Sequence, residues 1–358
     1  MGVKEPFDIV LVGDVVADDL SRQIVFDWDN PTWPEVEQLA QWLRWRGRSV
    51  QVVPSVSTFA AAAGDYREKL IFPLWRGGGS RNRTCIVPGV CEALGLPYVG
   101  ADSFAQGVCQ DKSLSKHYLR AAGIECMPDV VVSTWPPPPA ELNAIHDFPF
   151  PVVVKPLFSA CSIGIDADSL CLEPESVPSL VCRLTKQGLG PVMIEPFIKG
   201  TEVSICLVEA AGEIVLSCVS SYVRSDGSCP FADGLFTMDQ KTAVKRDWKV
   251  GCRHDVFDGE LRAKIEKLIA LLGPFGPLRV DGRLSNGRFI AIELTPDIHL
   301  GLDSAFIGGF DAANVPPESV LDIILTATVT NSLRALSHTG MQCQIPFSEE
   351  SIHPVSMP

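Results

Sequence analysis

The stretch LRVDGRLSNGRFIAIEL, residues 278–294, carries Asp281 and Glu293 on either side of a turn. Two converging carboxylates suit magnesium, a hard cation that takes one or two of them and completes its octahedron with water and phosphate oxygens. Convergence depends on strand register. A two-residue Asn286-Gly287 turn would pair Asp281 with Ile292 and set the acids on opposite faces. A three-residue Ser285-Asn286-Gly287 loop, with Gly287 left-handed, pairs Asp281 with Ala291 and puts both acids on one face. Only this second register gathers Leu278, Val280, Ile290, Ile292 and Leu294 on the other face, as a half-buried sheet requires, so the three-residue loop is expected. Arg279 shares the acids' face. It leaves two arrangements open: an ion pair with Asp281 or Glu293, or a metal site.

A second candidate is FPFPVVVKPLFSACSIGI, residues 148–165, where an apolar strand ends in Lys155-Pro156 and small residues run on to Gly164. Such a lysine is either a solvated boundary residue or a cation brought to a turn whose N–H groups can hold an anion. DKSLSKHYLRAAGI, residues 111–124, reads as a helix with Asp111 near its start and Gly123 at its end.

The elements around these residues change character along the chain. DIVLVGD (8–14), the helix PEVEQLAQWLRWRG (34–47), the strand SVQVVP and the strand LIFPLW (70–75) open a β-α-β series. VPGVCEALGLPYVG (87–100) adds a helix and another strand, completing a parallel α/β unit. Later strands are antiparallel in pattern, with a hairpin at Gly212. The segment 224–240, rich in Gly, Ser and Asp, is expected to make few apolar contacts and to act as a mobile lid.

At 358 residues and 46% hydrophobic content the chain can form two or three packed units. A net charge of -13 excludes a general nucleic-acid or anionic-membrane surface, so any phosphate must be gripped locally. Twelve scattered cysteines without zinc spacing read as reduced thiols, and no apolar run is long enough to span a bilayer. A cytoplasmic location is expected.

The order of Lys112, Lys155, Glu195, Asp281 and Glu293 resembles the ATP-grasp enzymes. Together with LGLPYVGAD, VMIEPFIKGTEVSICLV, MDQK and AIELTPDIHLGLDSAF, it resembles their D-alanine–D-alanine ligase-like branch over about residues 70–310. The resemblance implies an α/β ATP-grasp fold of three subdomains. These are an N-terminal open parallel α/β unit (1–106), a central small α+β lobe (107–190) and a C-terminal antiparallel α+β lobe (191–345), with a tail at 346–358. It also implies ATP and magnesium, two ions with manganese as an alternative. Lys155 and Lys112 would contact phosphates, and the turn at Cys161 and Ser162 would cover them. Glu195, Phe197 and Ile198 would meet the base, Glu202 the ribose and Lys241 the γ-phosphate. Asp281, Glu293 and Thr295 would hold metal, Arg279 would stabilise an acyl phosphate, and Ser304 would take the acceptor carboxylate.

The implied reaction is ADP-forming ligation of a carboxylate to an amine on small amino-acid-like substrates, in specialised metabolism. A homodimer is compatible with the resemblance; nucleic-acid and membrane partners are not expected. D-alanine–D-alanine ligation, ring closure within one molecule and an inactive ATP-binding protein stay open as alternatives. Three departures stand out. Thr295 replaces the family's Asn, LWRGGGSRNRT (74–84) replaces a donor-placing region, and the acid that grips the first substrate's amine has no clear counterpart. Asp14, Asp18 and Asp19 are candidates for that acid. Arg76, Arg81 and Arg83 either bind a donor carboxylate or form a solvated surface.

Overall fold

The computed structural model describes residues 8–18, 30–74, 80–243, 246–296 and 298–339. Asp19, Arg76 and the tail 346–358 lie outside the described residues. The first unit comprises β1 (Ile9–Val12), α1 (Trp33–Leu43), β2 (Val50–Val53), α2 (Val56–Ala62), β3 (Leu70–Pro73) and α3 (Ile86–Leu94). Its strands are parallel in the order β2-β1-β3. The strand expected after α3 is reduced to a single bridge between Ile71 and Tyr98. Two helices follow, α4 (Ser103–Gln110) and α5 (Lys112–Ala122), and α4 runs across the expected boundary at 106.

The central unit holds β4 (Val130–Val132), α6 (Pro139–His146), β5 (Val152–Pro156), β6 (Leu170–Cys171), α7 (Val177–Lys186) and β7 (Val192–Pro196). Its antiparallel sheet has the order β4-β7-β5-β6. Because β7 pairs with β5, this lobe extends through Pro196, past the expected boundary at 190.

The third unit is built from β8 (Thr201–Ala210), β9 (Glu213–Arg224), α8 (Met238–Thr242), β10 (Trp248–Arg253), α9 (Gly259–Leu272), β11 (Pro277–Ser285), β12 (Arg288–Thr295), α10 (Ala305–Ala312) and α11 (Pro317–Thr339). The antiparallel sheet β10-β9-β8-β11-β12 buries Val203, Ile205, Leu278, Val280 and Leu294 on one face, against α5 and α9. The opposite face is core at one end, where Cys206, Val208 and Cys218 meet α10 and α11. At its other end lies the site. Residue alternation along β8, β11 and β12 thus divides packing from chemistry.

The β11–β12 turn has two residues, not three. Asn286 and Gly287 both have positive φ, 50° and 77°, as a type I′ turn requires. The ladder begins with Ser285 opposite Arg288, then shifts register beyond Gly282 and Ala291, so that Asp281 faces Glu293 directly. The extra residue is Ile292. This bulge does what the longer loop was expected to do. Ala291 faces the core at 1% exposure, while Ile292 turns to the site side. Gly282 is obligatory at the bend, since a Cβ there would lie 2.5 Å from the Ile290 carbonyl oxygen.

Candidate active site

Lys155 reaches the site because β5 alternates. Val152 and Val154 enter the central core, whereas Val153 and Lys155 face the other way, beside Met193 and Glu195 of β7. The Lys155 ammonium lies 2.6 Å from Glu195 Oε1, and Lys116 contacts Glu195 Oε2. Lys116 is fully buried and was not anticipated. Its signal is helical spacing: Asp111 caps α5 through the N–H groups of Ser113 and Leu114, and Lys112, Ser115, Lys116 and Leu119 then share the inward face. Burial would raise the Glu195 carboxyl, but Lys155 and Lys116 outweigh it and hold the value at about 2. Burial would depress Lys155; Glu195 and then Glu293 outweigh it and raise the ammonium instead.

Lys112 is tied to the start of the phosphate turn, donating to the carbonyls of Ser159 and, at 3.3 Å, Leu157. The Phe158 carbonyl accepts from Arg83 at 2.6 Å and from Gln110. Arg83 is therefore buried against this turn, not solvated, whereas Arg81 is exposed. Cys161 and Ser162 have φ of 51° and 59°. Gly164 follows with a φ of 77°, and a Cβ there would lie 2.7 Å from the Pro156 ring. Ser162 Oγ donates to the Phe236 carbonyl at 2.8 Å.

The segment 224–240 is better packed than its composition suggests. Phe231 and Phe236 stack with centroids 4.1 Å apart, and Tyr222 and Trp248 meet them edge-on. Lys241 stands 4.9 Å above the Phe236 ring.

On the β8–β11–β12 face, cross-strand neighbours form the charged row. Arg279 donates to both oxygens of Asp281, Nε–Oδ1 at 2.7 Å and Nη2–Oδ2 at 2.8 Å. Ser204 Oγ meets Oδ1 at 2.5 Å, and Thr295 Oγ1 donates to Oδ2 at 3.2 Å. The ion pair left open by the sequence is thus made with Asp281. Burial raises the Asp281 carboxyl, yet Arg279 more than offsets it and the group is lowered. Glu293 makes no hydrogen bond or ion pair among the described residues. One row further, Arg283 pairs with Glu202 at 3.3 Å, lies 4.8 Å over the Phe197 ring, and donates to the Ile198 carbonyl at 2.9 Å. Burial nonetheless raises the Glu202 carboxyl.

These residues line two cavities with a common wall. The smaller, about 120 Å³, gathers Lys155, Glu195, Phe197, Ile198, Glu202 and Ser162; the larger, about 380 Å³, holds Arg279, Thr295 and Ser304. Lys112, Cys161, Lys241 and Glu293 border both. Ser304 caps α10, its Oγ accepting from Ile307 N at 3.1 Å. The sequence reading also missed Glu35 of α1, which lines the larger cavity and pairs with His299 at 3.1 Å. Asp14 instead accepts from Val56 N at 2.8 Å, and Asp18 is exposed.

Asp281 and Glu293 offer the hard oxygens that magnesium prefers, and two carboxylates are enough when phosphates and water supply the rest. The donor set fits that ion. No described group joins three His, Cys, Asp or Glu side chains around a metal position. No described helix is long and apolar enough to cross a membrane.

The crystal structure of D-alanine–D-alanine ligase from Bacillus anthracis complexed with ATP superposes with a TM-score of 0.67, covering 92% of this chain and 99% of that one at 18% identity. The protein has the ATP-grasp fold of that ligase. The same ATP-grasp fold relates it to the VanG D-Ala:D-Ser ligase from Enterococcus faecalis, at a TM-score of 0.65, 15% identity, and 90% and 100% coverage of the two chains. In sequence, the D-alanine–D-alanine ligase of Anaeromyxobacter sp. (strain Fw109-5) is 28% identical over 169 residues, 47% of this chain and 52% of that protein. That of Bacillus anthracis (strain CDC 684 / NRRL 3495) is 34% identical over 129 residues, 34% and 38% of the two chains. The matched regions span about half or less of these curated relatives. No protein-family model matches the chain.

Proposed function

We propose that the protein is an ATP-dependent, ADP-forming ligase that joins amino-acid-like substrates through an acyl phosphate. The observation that supports this best is the common wall, where Lys112, Lys241 and Glu293 border a basic pocket on one side and a larger cavity holding Arg279 and Ser304 on the other. Phosphoryl transfer needs positioning and charge neutralisation, without a protein nucleophile. Lys155 and Lys112 bind phosphates, and Lys241 approaches the transferred group. The turn at Cys161 and Ser162 covers the phosphates, with Glu195, Phe197, Ile198 and Glu202 around the nucleoside. Magnesium, when bound, neutralises phosphate charge; Asp281, Glu293 and Thr295 would hold it. Arg279 steadies the charged intermediate, and Ser304 orients the acceptor carboxylate. Glu35 takes the amine that Asp14 does not reach.

The smaller cavity, at about 120 Å³, falls below the ~300 Å³ at which small-molecule sites begin. Nucleotide entry therefore requires the segment over it, which carries Phe236 and Lys241, to withdraw. Its return excludes water from the acyl phosphate.

The Glu35–His299 pair and the internal use of Arg83 favour a substrate pair other than two D-alanines, in specialised metabolism. The test is ADP release from ATP and magnesium with a panel of amino-acid pairs, together with mass detection of the amide. Amide-coupled ADP supports the ligase, ADP with D-alanine alone selects D-alanine–D-alanine ligation, and no ADP with any pair overturns the reading.

A further inference from the structure

We infer that one of the two amino acids joined carries an uncharged hydrogen-bonding side chain, an amide or a hydroxyl, received by Gln106 and Gln110 of α4; this rests on the ligase reading and names its substrate class. Beside Leu39 and Leu300, the lining of the larger cavity includes Asn30, Thr84, Gln106 and Gln110, all four buried. Gln106 is 7% exposed, and its side-chain amide makes no hydrogen bond among the described residues. Gln110 donates through its amide nitrogen to the Phe158 carbonyl, and its amide oxygen accepts no hydrogen bond among the described residues. Buried polar groups are seldom left in this state, because hydrocarbon does not replace a lost hydrogen bond.

Local structure holds these groups together. Gln106 and Gln110 are one helical turn apart, so both project from the same side of α4. That helix packs so closely on the Arg83–Cys85 turn that a Cβ at Gly107 would lie 3.3 Å from Cys85 Sγ, which sets Thr84 beside the same helix. The Phe158 carbonyl, which also accepts from Arg83, ties the cluster to the start of the phosphate turn, where Ser159 and Ala160 line the cavity. The lining thus divides its work. Arg279 and Ser304 suit a main-chain carboxylate and Glu35 suits an ammonium, whereas the Gln106 cluster is neutral where it meets the cavity. A charged side chain placed there would lose its water without gaining a counter-ion, and a hydrocarbon one would leave the Gln106 amide unpaired. An amide or a hydroxyl both donates and accepts, as the two glutamine amides do.

The experiment measures ADP release by the unaltered protein with amino acids matched in size but not in polarity: asparagine against leucine, glutamine against methionine, threonine against valine and serine against alanine. Both enantiomers are used, in all pairs. A site built to hydrogen-bond a substrate group rejects the analogue that lacks it. The best pair should therefore contain a polar member, and exchanging it for its hydrocarbon match should lower kcat/KM at least about 10-fold. Equal or better turnover with the hydrocarbon match overturns the inference and leaves the ligase reading standing. Should no pair release ADP, calorimetry with the same amino acids in the presence of ATP and magnesium separates the two readings. Tighter binding of a polar member than of its match, without turnover, keeps the subsite and defeats the ligase; equal affinity, or none, defeats the subsite. Gln106→Met keeps the length of the side chain and removes its amide. It should lower kcat/KM for the polar substrate at least about 10-fold more than for the hydrocarbon match, whereas an equal loss for both would mark a structural residue and overturn the assignment. Thermal melting confirms that the variant folds; if it does not, the panel on the unaltered protein still decides.

Discussion

Asp281 and Glu293 face each other across β11 and β12 because Ile292 is bulged out of the ladder beside them. The two acids are unequal. Asp281 is held by Arg279, Ser204 and Thr295, whereas Glu293 has no hydrogen bond or ion pair among the described residues.

Their substitution should separate stability from metal use. Glu293→Gln, which takes from Lys155 only the weaker of its two carboxylate neighbours, should cost less stability than Asp281→Asn while sharply raising the magnesium needed for ATP turnover. Asp281→Asn should raise that requirement and also destabilise the fold by about 1–3 kcal/mol, because the Arg279 guanidinium loses its charged partner. Paired thermal melts and ADP-release titrations against magnesium check this; equal stability losses would remove the distinction.

Glu195 gives a pH prediction. Its folded value of about 2 lies below the ordinary 4.5, so its contribution to stability is complete above about pH 5 and is lost as pH falls toward 2. Lys116→Met removes one of the two cations holding it there. The carboxyl should rise toward its ordinary value, stability at neutral pH should fall by about 3–5 kcal/mol, and acid unfolding followed by circular dichroism should begin at higher pH. An unshifted acid transition would show that Lys116 does not govern Glu195.

Ser162 latches the phosphate turn to the segment above it through the Phe236 carbonyl. Removing that hydroxyl costs about 1 kcal/mol, so Ser162→Ala should accelerate amide exchange in residues 231–241 several-fold without nucleotide. ATP with magnesium should restore much of the protection. Exchange that ignores both the substitution and the nucleotide would argue against closure of this segment.

Thr295 is within hydrogen-bond reach of Asp281, at 3.2 Å. An amide at this position can keep a donor on Asp281 while turning a carbonyl oxygen toward an ion. Thr295→Asn should therefore saturate at lower magnesium with a similar maximal rate. An unchanged magnesium curve would place Thr295 outside the metal's reach.

Much of the site follows from periodicity. The alternation in β5 separates Lys155 from its valine neighbours, and the same rule places Glu202, Ser204, Arg279 and Asp281 on one face. The two acids of β11 and β12 share a face as expected, but Asp281 pairs with Glu293 and not with Ala291, and Ile292 lies on the site side; turn length and bulge compensate, and a hydrophobic pattern cannot tell them apart. Lys116 was legible from helical spacing, yet lysines usually point outward, and only the carboxylate on β7 explains its burial. Glu35 depends on His299, 264 positions away, a relation no local pattern contains. Phe231 and Phe236 lie in a segment whose polar composition hides the rings that hold it down.

The first hydrophobic core joins Ile9, Leu11 and Leu43 to Val320, Leu321 and Ile324 of α11, and Arg48 closes the same contact on Asp322 at 2.6 Å. These partners are separated by nearly the whole sequence, so loop closure opposes the contact until late in folding. During synthesis, the wall that carries Leu39 and Leu300 cannot gain this support until α11 has left the ribosome. The β8–β12 sheet, whose pairings are mostly between near neighbours, can form earlier. The wall of the larger cavity is therefore the last part of the site to gain its support, after the strands that carry its charged residues are in place.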